Sequence, residues 1–133
     1  MKAPGEDLNS ILTGIMQPKG RIHMTVGKPI ENELLEIEKI SNENEKIKYL
    51  VNLIDTQLHS NYKLWPVNYI ASDIANESTE FSSHYTEQEK ESFVNYIKQK
   101  ISKLTGDESS LFNLFINMYS NPVKTKMLSP ISN

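Results

Sequence analysis

Apolar residues recur every three or four positions along most of this chain, and this spacing predicts a mainly helical fold. The clearest stripe lies within residues 45–58, and further stripes predict helices over residues 31–40, 66–75, 86–104 and 107–119. A shorter helix can begin at Asp7 and reach about residue 15. The sequence therefore predicts a single domain of about five helices. Pro122 should end the last helix near Tyr119, which leaves residues 121–133 as a mobile tail.

One segment departs from the helical period. From residue 21 to residue 26 polar and apolar residues alternate, which is typical of a β-strand, and Gly27 and Pro29 would end it. The expected fold class is therefore mainly α, or α+β by strict count, with one short β-strand near residues 21–26. A lone strand leaves backbone donors and acceptors open, so it needs an unrecognised strand, a second chain or a missing sheet beside it.

Composition and charge exclude several classes of function. The net charge is −3 and Arg21 is the only arginine, so nucleic-acid binding, which depends on phosphate neutralisation, is not expected. The chain has no Cys, and it has no apolar run of about 18 residues that could span a bilayer. No cofactor is expected. Residues 1–7 lack an apolar signal core, so the expected location is cytoplasmic, with peripheral contact to the inner membrane as an alternative.

The predicted core comes from three of the helical stripes. Its members are Ile47, Leu50, Val51, Ile54, Phe93, Ile97, Ile101, Leu111, Phe115 and Met118. The segment that begins at Leu111 and ends at Tyr119 is apolar nearly all round, so it should be buried or contact a partner.

Catalytic and metal chemistry find little support in the sequence. The histidines at positions 23, 59 and 84 do not have the spacing of a short metal motif, so no metal site is expected. His84 and Glu89 could form a general base and its orienting acid. However, Thr86 and Glu89 also match a helix capping box, which is the preferred interpretation. Asp55 and Asp73 have no second acid near them, so hydrolase chemistry is not indicated and no catalytic residue is assigned.

Two groups of residues are candidates for binding. The basic cluster consists of Lys19, Arg21 and Lys28. It could bind a phosphate group, although the solvated face of an amphipathic strand is the favoured interpretation. The aromatic patch consists of Tyr62, Trp65 and Tyr69. It could contact lipid head groups or line a pocket, although aromatic packing at a corner between helices is favoured.

Two stretches carry a resemblance to a known family. They are Gly-Lys-Pro at residues 27–29, directly after the predicted strand, and Asn-Tyr-x-Leu-Trp-Pro-x-Asn-Tyr-Ile-Ala at residues 61–71. In this order they resemble the C-terminal part of bacterial, Bacteroidetes-type glycerolipid acyltransferases, which are lysophosphatidic acid acyltransferase-like enzymes. The family acts through a His-x4-Asp motif that this sequence lacks. The resemblance therefore implies the C-terminal region of a phospholipid or glycerol acyltransferase, inactive alone, whose partner is the remainder of the catalytic domain.

Two non-catalytic functions are alternatives to the acyltransferase interpretation. The chain can be a helical protein-interaction module that binds a partner or a second copy through residues 111–119 or through the exposed strand. It can also be a peripheral membrane element that uses Trp65 with nearby tyrosines and lysines, although the helices near Trp65 are not strongly basic. Under these two interpretations residues 1–133 are a single helical domain, whereas the resemblance implies a C-terminal fragment of an acyltransferase-like protein.

Overall fold

The computed structural model describes residues 5–16 and 20–128, and the regular structure of that part is helical. Six α-helices are described: α1 (Glu6–Met16), α2 (Asn32–Glu38), α3 (Glu43–Asn61), α4 (Pro66–Ala75), α5 (Glu87–Ile101) and α6 (Glu108–Leu128), with a short 3-10 helix at Ser82–His84. The expected mainly helical fold is confirmed.

Local sequence signals begin several of these helices. The side chain of Asn42 accepts hydrogen bonds from the first backbone N–H groups of α3 and so caps that helix. Pro66 occupies the first turn of α4, where a missing N–H costs nothing. Thr86 and Glu89 form the expected capping box at the start of α5. These caps fix where the chain turns between the helices.

Helices α4, α5 and α6 enclose the main buried core of the described chain, and α4 packs along α6. The core side chains are Ile70, Ala71, Phe93, Ile97, Ile101 and Ile116. The predicted core positions Phe93, Ile97 and Ile101 are therefore confirmed. Leu111 and Phe115 pack against this core from α6 and are half-buried.

The apolar stripe of α3 does not join this core. Ile47, Val51 and Ile54 are exposed, as is Met118 of α6, so the prediction that these four residues are buried is wrong. Leu50 is half-buried. Among the described helices α3 packs only against α2 and α6, which leaves most of its stripe uncovered. A helical period shows that a helix has an apolar face, but it does not show what covers that face.

Helix α6 continues through Pro122, so the predicted end near Tyr119 is wrong and residues 121–128 are helical. A proline inside a helix has no N–H to donate and its ring crowds the preceding turn, which weakens the helix locally. Neighbouring side chains supply donors at this turn. Asn68 donates to the carbonyl oxygen of Tyr119 over 2.9 Å, and the hydroxyl of Tyr62 donates to the carbonyl oxygen of Pro122.

The predicted β-strand is not seen. Residues 21–26 run without helix, turn or bend, and no backbone-to-backbone hydrogen bond is described for residues 20–30. Ile22, Met24 and Val26 are 84%, 85% and 88% exposed. No second alternating segment exists in the described chain to pair with this one, which is the physical reason that the alternation produces no sheet.

Candidate functional site

The chain bends at residue 62 between α3 and α4, and Trp65 lies in this connection immediately before Pro66. The backbone N–H of Trp65 donates to Oδ1 of Asn68 over 2.9 Å. The side-chain Nδ2 of Asn68 in turn donates to the carbonyl oxygen of Tyr119 in α6. Asn68 therefore ties the connection to the following helix and to the scaffold at once. Its two hydrogen bonds hold the backbone at Trp65 in one position relative to the core.

Two cations lie against the indole of Trp65. The guanidinium carbon of Arg21 is 4.8 Å from the ring centroid, and Nζ of Lys63 is 4.6 Å from it. Contacts of this length stabilise a half-exposed site by about 0.5–1 kcal/mol each. The Arg21 contact also attaches the segment of residues 20–30 to the connection between α3 and α4.

Two open grooves flank Trp65, which lines both of them. The first has a volume of about 580 Å³ and lies between residues 23–30 and the C-terminal half of α3. The second has a volume of about 650 Å³ and is walled by aromatic rings that include Phe93, Tyr96 and Tyr119. Burial, together with a hydrogen bond to Tyr96, raises the pKa of Tyr119 to about 12.

The structure does not gather the basic cluster into one described site. Arg21 lines the second groove, whereas Lys28 lines the first, and Lys19 lies outside the described residues. The backbone carbonyl of Lys28 accepts a hydrogen bond from the side chain of Gln57 over 3.0 Å. Phosphate binding by these residues stays a prediction.

The aromatic patch is also divided, because each ring has partners of its own. Tyr62 reaches α6, where its hydroxyl lies 2.8 Å from Oγ1 of Thr125. Tyr69 stacks on the ring of His84, with 4.2 Å between the ring centroids. Trp65 contacts the two cations. The interpretation that these aromatic residues pack a corner between helices fits the contacts of Tyr62 and Tyr69.

The three histidines lie in three different places. His84 stacks on Tyr69, whereas Glu89 accepts hydrogen bonds from the backbone N–H and the hydroxyl of Thr86 over 2.8 Å and 3.0 Å. The capping-box interpretation is therefore confirmed for Glu89. His23 hydrogen-bonds Thr25 over 2.9 Å, and His59 meets Tyr62 edge to face. No group of three or more His, Asp or Glu side chains that could hold a metal ion occurs in the described ranges.

Asp73 is the described carboxylate with the most unusual surroundings, being only 2% exposed. It accepts hydrogen bonds from the hydroxyls of Ser78 and Tyr85 over 2.8 Å and 2.7 Å, and from the backbone N–H of Phe81. Burial raises the pKa of Asp73, but these hydrogen bonds and the charge of Lys90 outweigh it, so the pKa lies below 3.8. Burial and the bond to Asp73 raise the pKa of Tyr85 to about 12. Both oxygens accept hydrogen bonds from the protein's own donors, so Asp73 fastens the loop after α4.

The spacing of apolar residues in α4 indicates that Asp73 is buried. It was not singled out from the sequence because no second acid lies near it. It lies three residues after Ile70, on the buried face of α4, and a polar residue at such a position needs partners from the fold. Those partners come from a loop of irregular structure, whose path the sequence does not reveal.

Comparisons with known proteins give this chain no relative. A scan against protein-family models and searches of curated proteins and of solved structures find no match. In the part of the chain that the structure describes, no helix combines the length and the apolar character needed to cross a bilayer.

The clamp at the Pro122 turn of α6 can be tested by replacing Tyr62 with Phe. This change removes the hydroxyl that contacts Pro122 and Thr125 and should lower the free energy of unfolding by about 1 kcal/mol. Urea unfolding followed by circular dichroism measures the effect. Tyr49→Phe on the exposed face of α3 is the matched control and should change stability by less than about 0.5 kcal/mol. Equal effects of the two changes would contradict a clamp by Tyr62.

Proposed function

We propose that this chain is a non-enzymatic helical protein-interaction module. Helices α4, α5 and α6 form its folded scaffold, and the part before Tyr62 supplies its binding surface. One observation carries the proposal. The apolar stripe of α1 is exposed along its whole length, and none of the other described helices packs against α1. The stripe consists of Leu8, Ile11, Leu12, Ile15 and Met16.

Exposed apolar surface of this extent supports a docking role. Contiguous apolar patches on soluble monomers are rarely larger than a few hundred Å², and larger ones mark surfaces that contact another molecule. The same half of the chain also exposes the stripe of α3 and the side chains of Ile22, Met24 and Val26. Three separate pieces of the N-terminal half thus present apolar side chains that the scaffold leaves uncovered.

The resemblance to glycerolipid acyltransferases stays a prediction, and it also requires that another polypeptide surface cover the exposed apolar side chains. In that interpretation the apolar N-terminal half would pack against the remainder of a catalytic domain. A transfer assay with an acyl donor and a lysophospholipid tests it directly. Clear turnover by the isolated chain would overturn the proposal that the module is non-enzymatic.

The binding role is tested with a pair of variants that differ only in which face of α1 they change. Ile11→Ser with Ile15→Ser alters the apolar face, whereas Ser10→Ala with Thr13→Ala alters the opposite face and serves as control. Tagged chains are expressed in the cells of origin and the proteins they retain are quantified. We expect a protein, or an untagged second copy, held in near-equimolar amount by the wild type and the control and reduced at least tenfold by the apolar-face variant. Equal retention by all three would contradict the proposal.

A further inference from the structure

Residues 21–26 contact the rest of the protein through polar side chains, whereas their apolar side chains are exposed to solvent. The polar face is attached to the protein, with Arg21 on Trp65 and the hydroxyl of Thr25 donating to the carbonyl oxygen of Asn61 over 3.2 Å. The apolar face points to solvent. Leaving these apolar side chains in water is unfavourable unless something else covers them.

We propose that residues 21–27 pair with the same residues of a second copy as a two-stranded antiparallel ribbon about a two-fold axis. This inference rests on the proposed interaction role and names its partner. The segment has the unpaired backbone that strand addition requires, since no backbone-to-backbone hydrogen bond is described for residues 20–30. A two-fold axis makes both chains use one patch, which is the commonest symmetry of homodimers.

The order of side chains selects one register, with Met24 opposite its own counterpart. In that register Ile22 faces Val26 of the partner subunit, so all three apolar residues of each strand meet apolar residues. Shifting the centre by one residue, to position 23 or position 25, places Val26 opposite a glycine or Ile22 opposite a lysine. Only the register centred on Met24 pairs the apolar set with itself.

The polar face tolerates the same register. His23 faces Thr25 of the partner subunit, and Arg21 faces Gly27 of the partner subunit, so no two like charges are directly opposed. Gly27 also lies against α3, because an added Cβ would lie 2.5 Å from Oε1 of Gln57. A side chain there would displace the side chain of Gln57, which donates to the carbonyl oxygen of Lys28.

The chain carries enough exposed apolar surface to cover such a ribbon. A two-stranded ribbon alone is marginally stable in water and needs packing on one face. The stripe of α1 lies just before the segment in sequence, and its five side chains with Ile22, Met24 and Val26 are between 47% and 88% exposed. Each of these eight side chains exposes an area on the order of 100 Å². Together they supply roughly the 800 Å² per partner of a standard stable interface.

Cysteine cross-linking tests the register, because the sequence has no Cys of its own. Met24→Cys places two thiols opposite each other at the axis, within reach of a disulfide. Mild oxidation of dilute protein should therefore convert most of the Met24→Cys chain to a covalent dimer. Ile22→Cys alone and Val26→Cys alone should remain mostly monomeric, whereas an equimolar mixture of the two should cross-link. Equal cross-linking of all samples, or none in Met24→Cys, would overturn the proposal.

Sedimentation equilibrium separates this interface from one on α6. Met24→Glu opposes two carboxylates at the axis and should raise the dimer dissociation constant at least tenfold. Met118→Glu changes an exposed methionine of α6, which is 56% exposed, and should leave dimerisation unchanged. If Met118→Glu abolished the dimer and Met24→Glu did not, the interface would lie in residues 111–119 instead. A monomeric wild type that still holds a different protein through α1 would overturn the ribbon and leave the interaction role standing.

Discussion

Replacing Asp73 with Asn is expected to lower the free energy of unfolding by about 2–4 kcal/mol at pH 7. The carboxylate is almost fully buried and accepts hydrogen bonds from Ser78, Phe81 and Tyr85. Asn keeps the shape but loses the charge, and its NH₂ group cannot accept, so at least one of these donors is left without its acceptor. Hydrogen bonds to a charged group contribute about 1.5–3 kcal/mol each, which is why one atom has a large effect.

The same carboxylate predicts a pH dependence with a definite sign. The pKa of Asp73 in the folded chain lies below 3.8, its ordinary value, so the unfolded chain binds the proton more tightly. The stabilisation is therefore fully present above about pH 5 and is lost progressively as the pH falls through the unfolded and then the folded pKa. The stability difference between wild type and Asp73→Asn should shrink between pH 5 and pH 3.

The measurement is urea unfolding at several pH values, with Asp55→Asn as the matched control. Asp55 is exposed on α3, and its change to Asn should alter stability by less than about 0.5 kcal/mol. An Asp73→Asn effect under about 1 kcal/mol at pH 7 would show that the loop after α4 is held by other contacts. A difference that grows as the pH falls would contradict a lowered pKa.

The helices were predictable from the sequence because their signals are local. Caps such as Asn42 and the pair Thr86 and Glu89 act within three residues, and a stripe repeats within one helix. The end of α6 was not predictable in the same way. Pro122 weakens a helix when considered alone, but Asn68 and Tyr62 donate to carbonyls of that turn from 51 and 60 residues away.

The core was only partly predictable, because burial depends on which helices meet. The stripe of α3 was the clearest in the sequence, yet much of it is exposed, while Ile70 and Ala71 of the shorter α4 are fully buried. Alternation at residues 21–26 predicted a strand that is not seen, and it did not show that the apolar side chains there are exposed. In both places the sequence shows an apolar surface, and only the tertiary arrangement shows whether this chain covers it.

The candidate site was predictable in its residues but not in its contacts. Trp65 and Arg21 were both identified from sequence, in separate clusters, and the structure brings them together across 44 positions. Contacts between residues so distant in sequence depend on the path of the intervening α2 and α3. The local pattern around Asn68 gave no indication that one amide holds both the connection at Trp65 and the carbonyl of Tyr119.

Replacing Ile97 with Ala is expected to lower the free energy of unfolding by about 2–5 kcal/mol. Ile97 has no exposed surface and lies in the core between α4, α5 and α6, so truncation leaves a cavity that the neighbouring side chains cannot fill.

The same truncation at Ile54 serves as the control, because that residue lies on α3 and is 42% exposed. It should cost less than about 1 kcal/mol in a monomeric sample, since only partly buried atoms are removed and no closed cavity forms. Urea unfolding of both variants at one low protein concentration gives the comparison. Equal costs at that concentration would mean that α3 belongs to the same cooperative core as α5. An Ile54→Ala cost that appears only at high concentration would show that a second chain covers the stripe of α3.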